Sequence, residues 1–460
     1  MKVFAIWAAW LLTTAAWAQS PITVAVDTQS PGPAIDPEFS GVSIFTGTQV
    51  ADHRGKTGYL FSPTNTQLVT IFKNTGLHHL RLGATGSPTA ATANLDHSAI
   101  DNLFGFARVT GIHVIYSLHA ADGVATARYV WTNYHDNLDC FAFDNEPDGR
   151  ALSGSGAAAD SYKKFMDGWE GFARSVTSAL PGAKFAGPDA SGRKLAARFA
   201  RDLKDSGDLV LVTQHIYVGG NPRKHHIRDA HEAIDQMLSK KWLADNYAGL
   251  LHGVCDAVVK DGYPYRLTES DDYVHGVTNA SDSYAAALWA LDYMHWWAKH
   301  GAKGVNFQNT EWLTTDTFHP DTAGNYQINP KAYGIKMFDL GGHGRIEPLK
   351  ITNAEKLNLT AYAVGDADHQ YVTIINKEHG SEARDATVTI ALANFPEAKA
   401  EGMFLNPPGG NVGATTNVTL GGAAISNGAT WAGQWTPLDS ITNNQLTLKV
   451  PAASAAVIRF

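Results

Sequence analysis

The feature that most constrains this chain is a rhythm in which short apolar, β-rich runs alternate with longer segments of helical periodicity. Several of the runs are apolar without alternation, which is typical of strands that are covered on both faces. The runs span 39–45, 78–83, 113–119, 140–148, 184–190, 209–218, 265–270 and 304–309, with helix candidates at 65–75, 100–110, 161–179, 230–259 and 281–300. Eight strands separated by helices predict a parallel sheet in an α/β fold.

Two architectures could accommodate this rhythm. An open, doubly wound sheet that binds a nucleotide would place a glycine-rich phosphate turn after its first strand. The first run ends instead in Ile44-Phe45-Thr46-Gly47, which is not such a turn. We therefore expect a (β/α)₈ TIM barrel over 39–340.

The pattern changes near Gly341, where helical periodicity ends and short strands separated by Asn, Gly and Pro clusters begin. The strand candidates lie at 360–364, 371–376, 386–392, 446–450 and 455–460. They predict a C-terminal β-sandwich domain over 341–460. An early strand at 22–26 precedes the barrel rhythm, and we expect the segment 19–38 to join the sandwich.

The N-terminus has the pattern of a secretory signal peptide over 1–18. Lys2 supplies a positive charge, 3–12 is apolar, and Ala16-Trp17-Ala18 is a small-x-small cleavage site. A membrane anchor is the alternative, but the apolar run is short for a span of about 20 residues. The sequence thus predicts a secreted or periplasmic protein with no membrane attachment after cleavage.

Charge and cysteine content limit the possible partners and cofactors. The chain carries 36 basic and 44 acidic residues, a net charge of −8, and no long basic block, which argues against a nucleic-acid partner. The two cysteines, Cys140 and Cys255, permit either a disulfide or two buried thiols, and no zinc-site spacing accompanies them. No metal or organic cofactor is expected.

Polar residues end several of the predicted strands, at the barrel face where active sites lie. Glu146 ends the fourth run and Glu269 the seventh, so the two carboxylates should converge. Glycoside hydrolysis needs such a pair, one to protonate the departing oxygen and one to attack the sugar or activate water. Arg81, His215, Tyr217 and Gln308 end other runs at the same face.

These residues support a resemblance to known enzymes. The segment Asn145-Glu146-Pro147 at strand four, with Glu269 at strand seven, resembles the retaining glycosidases built on (β/α)₈ barrels. Within them the chain resembles glycoside hydrolase family 79, the β-glucuronidases and heparanase-like enzymes. The closer cues are FDNEPD at 143–148, TES at 268–270, the helical segment 284–294 and NPKAYG at 329–334.

The resemblance implies roles for individual residues. Glu146 would be the acid/base and Glu269 the nucleophile, while Asn145 would bond the sugar 2-hydroxyl and Arg81 would orient Glu269. Tyrosine hydroxyls would hold a uronate carboxylate. The substrate-binding set is then Asn145, Arg81, His215, Tyr217, Tyr273, Gln308 and Tyr326. Trp312 and the basic segment 223–226 are further candidates for sugar contacts.

The expected function is that of a retaining glycoside hydrolase that cleaves β-linked glucuronic acid from glycans or glycosides by double displacement. Its partner would be a uronic-acid-containing carbohydrate. Two alternatives remain open: a β-glycosidase of the same clan with a neutral glycone, such as a glucosidase or xylosidase, and a secreted non-catalytic carbohydrate-binding protein. Exo or endo action and the oligomeric state are not determined by the sequence.

Overall fold

A computed structural model describes residues 22–50, 58–83, 95–152, 158–309, 313–392, 399–439 and 441–460. The expected signal peptide and Trp312 lie outside these ranges. The strands are β1 (Ile22–Val26), β2 (Ser40–Phe45), β3 (His79–Gly83), β4 (His113–Leu118), β5 (Leu138–Phe143), β6 (Phe185–Ala190), β7 (Leu209–Tyr217), β8 (Tyr265–Asp271), β9 (Val305–Gln308), β10 (Phe318–Pro320), β11 (Tyr326–Ile328), β12 (Arg345–Glu347), β13 (Leu349–Thr352), β14 (Leu359–Gly365), β15 (Gln370–Asn376), β16 (Ala386–Leu392), β17 (Glu401–Leu405), β18 (Thr436–Pro437), β19 (Gln445–Val450) and β20 (Ser454–Arg459).

The helices alternate with the barrel strands, and the last α-helix of the described residues ends at Gly341. They are α1 (Thr46–Val50), α2 (Thr66–Thr75), α3 (His97–Thr110), α4 (Gly123–Tyr134), α5 (Asp148–Ala151), α6 (Ala158–Ala179), α7 (Leu195–Asp202), α8 (Ala230–Met237), α9 (Ala248–Leu250), α10 (Asp256–Lys260), α11 (Tyr284–Lys299) and α12 (Lys331–Gly341). Within the described ranges, no helix combines the length and apolar character needed to cross a membrane.

Strands β2 to β9 form a closed parallel barrel in sequence order. The barrel closes where Ser40 of β2 pairs with Val305 of β9. The predicted (β/α)₈ barrel is therefore confirmed. Because every strand runs in the same direction, the ends of β2 to β9 that precede the following helices meet at one face, where the active site of such a barrel lies.

Small and branched side chains fill the inside of the barrel. Cys140 and Ala142 of β5 form a buried cluster there whose other members are Ile115, Ala186 and Leu211. The alternate residue Phe141 points outward and packs in the core between strands and helices. Cys140 and Cys255 are both free, buried thiols.

Two mainly antiparallel sheets form the β-sandwich behind the barrel, with the strand orders β13-β1-β16-β19 and β12-β14-β15-β20-β17-β18. Strand β1 pairs antiparallel with β13 and parallel with β16, so the start of the described chain lies in this sandwich. A buried carboxylate joins the sandwich to the barrel. Asp292 of α11 accepts hydrogen bonds from Lys377 Nζ and the Tyr362 hydroxyl, each at 2.7 Å.

The segment 230–259, for which the sequence predicts one helix, is divided. Two π-helical turns, Trp242–Tyr247 and Leu251–Cys255, interrupt it between α8 and α10. Each π turn contains one extra residue and so changes the direction in which the following side chains point. The first of them brings Asn246 to the barrel face, where its side-chain amide donates to the carbonyl of Val218 at 2.6 Å.

Candidate active site

The two glutamates meet at the C-terminal face of the barrel. Glu146 lies three residues after the end of β5, and Glu269 lies within β8. One carboxylate oxygen of each lies within 4.8 Å of the other. Their exposure differs, since the side chain of Glu146 is 38% exposed and that of Glu269 only 6%. The Glu146 carboxylate is therefore open to solvent, whereas the Glu269 carboxylate is almost covered, although both line the same cavity.

The backbone that presents Glu146 is unusual. Asp144 and Glu146 both have positive φ, 82° and 44°, a region that residues with a side chain rarely adopt. The amide of Glu146 is held by the carbonyl of Asp189 at 3.0 Å. Pro147 then leads into α5. Strained backbone that is fixed by neighbouring strands is a frequent property of functional sites.

Arg81 of β3 is fully buried beneath the glutamates and joins four polar groups. Its Nη1 donates to Glu269 Oε2 and to Ser43 Oγ, each at 3.1 Å. Its Nη2 donates to Asn145 Oδ1 and to Asp189 Oδ2, each at 2.7 Å. A fixed guanidinium at this position holds the Glu269 carboxylate in one orientation.

His215 of β7 bridges the two glutamates. Its Nδ1 lies 3.0 Å from Glu146 Oε1 and 3.9 Å from Glu269 Oε2, and its Nε2 lies 3.6 Å from Asp189 Oδ1. Burial opposes protonation of the ring, but these carboxylates outweigh it and raise the pKa of His215 to about 9. The hydrogen bond to His215 in turn lowers the pKa of the Glu146 carboxyl.

Tyr217 donates its hydroxyl to the other oxygen of Glu269, Oε1, at 2.6 Å. Burial, and then the Glu269 charge, raise the pKa of Tyr217 well above its ordinary value, so the phenol keeps its proton. Glu269 therefore receives one donor on each oxygen, from Tyr217 and from Arg81. Charge-assisted bonds of this kind fix the position of a carboxylate.

A cavity of about 640 Å³ opens above these groups, within the range that is usual for small-ligand sites. Its wall includes both glutamates, His215, Tyr217 and Gln308. The Oε1 atom of Gln308 is buried and accepts no hydrogen bond from any residue that the structure describes. The remaining lining residues are Phe45, Ser191, Arg193, Gln214, Ile216, Val218, Gly220, Asn246, Leu250, Val274, His275 and Leu313.

Four of the seven expected substrate residues do not line the cavity. Arg81 and Asn145 bond each other beside the glutamates, whereas Tyr273 and Tyr326 lie elsewhere, which corrects the tyrosine pocket drawn from the resemblance. Tyr273 is fully buried, packs against Gly219, and donates its hydroxyl to the carbonyl of Ala233 at 3.3 Å. Tyr326 is buried in the hairpin β10–β11, where its ring packs against Phe318. Neither lines the cavity. Tyr217 does line it, but its hydroxyl bonds Glu269.

The structure also brings in two residues that the sequence analysis did not select. Asp189 at the end of β6 contacts Arg81 and lies beside His215. Arg193, on the loop that follows β6, lines the cavity. The signal that could have found Asp189 is its place near the end of the fifth apolar run, since a buried carboxylate there requires a cationic partner.

Glu146, His215 and Glu269 offer three donor atoms within 4.8 Å of one another, the kind of set that could also bind a metal ion. The neighbouring groups favour a different arrangement. The Arg81 guanidinium already bonds Glu269, and the His215 nitrogen in question faces carboxylates with its pKa raised, whereas a metal ligand must be unprotonated. The site has the donor pattern of a carboxylate pair with fixed cations.

No protein-family model and no curated protein sequence matches the chain, but solved structures do. A 4-O-α-L-rhamnosyl-β-D-glucuronidase from Fusarium oxysporum 12S aligns with a TM-score of 0.70 at 17% identity, covering 95% of this chain and all of that one. A family 51 α-L-arabinofuranosidase from Bifidobacterium longum aligns at 0.67 and 13%, covering 96% and 100%. A β-xylosidase from Caulobacter crescentus CB15 aligns at 0.60 and 13%, covering 96% and 99%.

These similar structures are glycoside hydrolases, and the similarity spans nearly the whole of both chains. At identities of 13–17% it establishes the shared fold. The chain thus has the two-part architecture of these enzymes, a (β/α)₈ barrel with an attached β-sandwich.

Proposed function

We propose that this protein is a retaining glycoside hydrolase that releases β-linked glucuronic acid from glycans or glycosides. The observation that carries the proposal is the carboxylate pair at the mouth of the barrel, with oxygens of Glu146 and Glu269 within 4.8 Å of each other. Carboxyl groups about 5–5.5 Å apart support attack by one of them on the sugar, whereas an intervening water needs a wider gap.

The contacts support a division of roles between the two glutamates. Glu269 is buried, with a donor on each oxygen, and attacks the anomeric carbon as the bond to the departing oxygen breaks. Glu146 is the exposed partner and gives that oxygen a proton. The glycosyl ester on Glu269 is then cleaved by water, whose proton returns to Glu146. Each turnover transfers a hydrogen to the aglycone and a hydroxyl to the sugar.

Asn145 lies beside the acid/base, with its Oδ1 accepting from Arg81. That bond orients the side chain and leaves its Nδ2 donor for the substrate. The resemblance implies that this amide forms a hydrogen bond with the 2-hydroxyl of the sugar. A contact there strengthens in the transition state of glycoside hydrolysis.

A uronate glycone is favoured by the charge at the cavity rim. Arg193 lines the cavity, is exposed, and forms no ion pair with any residue that the structure describes. A guanidinium can bind a carboxylate with two parallel hydrogen bonds. Membership of glycoside hydrolase family 79 is part of the proposal, and it is consistent with the structural similarity to a glucuronidase.

The test is a panel of aryl glycosides given to the purified mature protein: β-glucuronide, β-glucoside, β-xyloside and α-L-arabinofuranoside. We expect the β-glucuronide to have the highest kcat/KM, by at least about tenfold. A preference for a neutral sugar would show that the protein is another glycosidase of the same fold and not a glucuronidase. Binding without turnover of any glycoside would favour the non-catalytic alternative.

The variant Arg193→Gln tests the uronate assignment, with Lys194→Gln as the matched control. Lys194 is the next residue and is exposed, but it does not line the cavity. The first change should lower kcat/KM for the glucuronide about tenfold or more and leave the glucoside almost unaffected. Equal losses on both substrates, or similar behaviour of the two variants, would remove Arg193 from uronate recognition.

A further inference from the structure

Asp189 is a buried carboxylate that joins several strands at the barrel face. It is buried at the end of β6, where its Oδ2 accepts from Arg81 Nη2 at 2.7 Å and its Oδ1 accepts from the Thr268 hydroxyl at 2.6 Å. Its amide donates to Thr213 Oγ1 at 2.8 Å, and its carbonyl accepts from the amide of Glu146 at 3.0 Å. The residue is therefore fixed from β3, β7, β8 and the loop after β5, with a left-handed φ of 53°.

The imidazole of His215 lies between carboxylates on both sides. Nδ1 faces Glu146 at 3.0 Å and Glu269 at 3.9 Å, and Nε2 faces Asp189 at 3.6 Å. A neutral imidazole carries one N–H and presents a lone pair at its other nitrogen. In that form one nitrogen would direct a lone pair at a carboxylate. The doubly protonated ring gives a donor to each side.

We propose that Asp189 is a positioning residue that keeps His215 doubly protonated and directs its Nδ1–H at Glu146, so that His215 is the source of the proton that Glu146 delivers. The inference rests on the proposed function, from which the role of Glu146 as proton donor is taken. Asp189 does not touch the cavity, and it acts through the histidine.

The proton balance follows the two chemical steps. In the first step the Nδ1 proton passes to Glu146 and from there to the departing oxygen, which leaves His215 with its Nε2–H towards Asp189. Glu269 loses its charge at the same time, because it becomes an ester. In the second step water attacks the ester, its proton returns through Glu146 to Nδ1, and Glu269 is a carboxylate again.

The charges around His215 agree with this cycle. Glu146, Asp189 and Glu269 face it from the loop after β5, from β6 and from β8, and the charge of Arg81 of β3 opposes its protonation. Tyr217, on the same strand as His215, stays neutral. The carboxylates raise the pKa of His215 to about 9, so the ring is protonated below that pH and loses its proton above it. Removal of the Asp189 charge must therefore lower the pKa.

The experiment is a titration of the His215 ring nitrogens by ¹⁵N NMR in histidine-labelled protein, with the signal identified by its loss in His215→Gln. We expect Asp189→Asn to lower the pKa of His215 by at least about one unit, because a nearby opposite charge typically changes a pKa by about one to three units. The basic limb of the kcat/KM profile on an aryl β-glucuronide should move down with it, because that limb reports the free enzyme.

Two further variants make the result decisive. Asp139→Asn alters a second carboxylate–histidine pair, in which Asp139 Oδ2 lies 3.3 Å from His79 Nε2 away from the cavity, and it should leave the His215 titration and the pH profile unchanged. Thr268→Val keeps the Asp189 carboxylate but removes the hydroxyl that orients it. This variant should lower the pKa of His215 by a smaller amount than Asp189→Asn does. It tests the inference if Asp189→Asn does not fold.

An unchanged His215 titration in the folded Asp189 or Thr268 variant would overturn the inference. A lowered pKa with an unmoved activity limb would remove His215 as the proton source. The titration needs no turnover, so it also separates this inference from the proposed function. If the wild-type protein hydrolyses no glycoside the function fails, while the titration still shows whether Asp189 holds the histidine in its charged form.

Discussion

The two ends of the barrel each contain a buried arginine beside a buried histidine, and the two histidines have opposite pKa shifts. At the cavity end, carboxylates face both nitrogens of His215, and its pKa is raised. At the other end, burial and then the charge of Arg266 lower the pKa of His79. The same residue types thus surround a protonated histidine at one end and a neutral histidine at the other.

The difference arises from the atoms that face each ring. Asn306 Oδ1 accepts from Arg266 Nε at 2.7 Å, so its Nδ2 is left to donate to His79 Nδ1 at 3.0 Å. His79 Nε2 can then donate to Asp139 at 3.3 Å. One donor and one acceptor suit a neutral imidazole, whereas two carboxylate neighbours suit an imidazolium. The chemistry of a barrel end depends on such pairings rather than on composition, in line with the division between a catalytic and a stabilising face.

The largest effect that we expect follows removal of the nucleophile. Glu269→Ala should lower kcat by at least about 10⁴-fold while substrate still binds, because the attacking oxygen is lost and the cavity wall remains. Binding is measured calorimetrically and turnover with the aryl β-glucuronide. Activity close to that of the wild-type protein would exclude Glu269 from the mechanism.

Removal of the acid/base should have an effect that depends on the leaving group. Glu146→Gln is expected to lower kcat/KM about 10²–10⁴-fold for an alkyl β-glucuronide, whose departing oxygen needs a proton, and less for a nitrophenyl β-glucuronide. The ratio between the two substrates is the measurement. A loss of equal size on both would contradict the acid role of Glu146.

A smaller effect distinguishes two of the three tyrosines that the resemblance implies for uronate binding. Tyr217→Phe removes the donor to Glu269 Oε1, and kcat should fall about tenfold on glucuronide and glucoside alike. Tyr326→Phe is the matched control, because Tyr326 lies outside the cavity and should leave both rates unchanged. A selective loss on the glucuronide in Tyr217→Phe would restore this residue to uronate recognition.

The smallest expected effect concerns stability at the opposite end of the barrel. His79 is neutral in the fold, with its pKa lowered by burial, whereas in the unfolded chain it takes up a proton below about pH 6.5. Its contribution to the free energy of unfolding is therefore present above that pH and is lost as the pH falls. Urea unfolding at about pH 8 and about pH 5 should show a weaker pH dependence in His79→Gln than in the wild-type protein. Equal dependence would contradict a neutral His79.

The sequence predicts the barrel and its two glutamates because both depend on local pattern. Apolar runs separated by helices specify the strands, and a polar residue at the end of a run is placed at the active face by the topology alone. The positions of Glu146 and Glu269 at this face could be predicted from these two features alone. Arg81 donates to Glu269, as an orienting role would require, while the roles drawn from the resemblance stay predictions.

The remaining parts depend on contacts that no local pattern encodes. Tyr273 lies four residues after Glu269, yet the chain turns there and buries its ring against Gly219. Asp189 lies within a run of apolar character, and its pairing with Arg81 appears only when β3 and β6 are brought together. The π turns within 242–255 depend on packing, and helical periodicity alone does not reveal them.

The most direct test of the central claim, attack by Glu269 with Glu146 as acid/base, is the configuration of the first sugar released. Hydrolysis of an aryl β-glucuronide followed by ¹H NMR within the first minutes, before mutarotation, distinguishes the two anomers. The oxygens of Glu146 and Glu269, within 4.8 Å of each other, predict that β-glucuronic acid appears first and the α anomer later. Initial release of the α anomer would show that water attacks the substrate directly and would contradict the account.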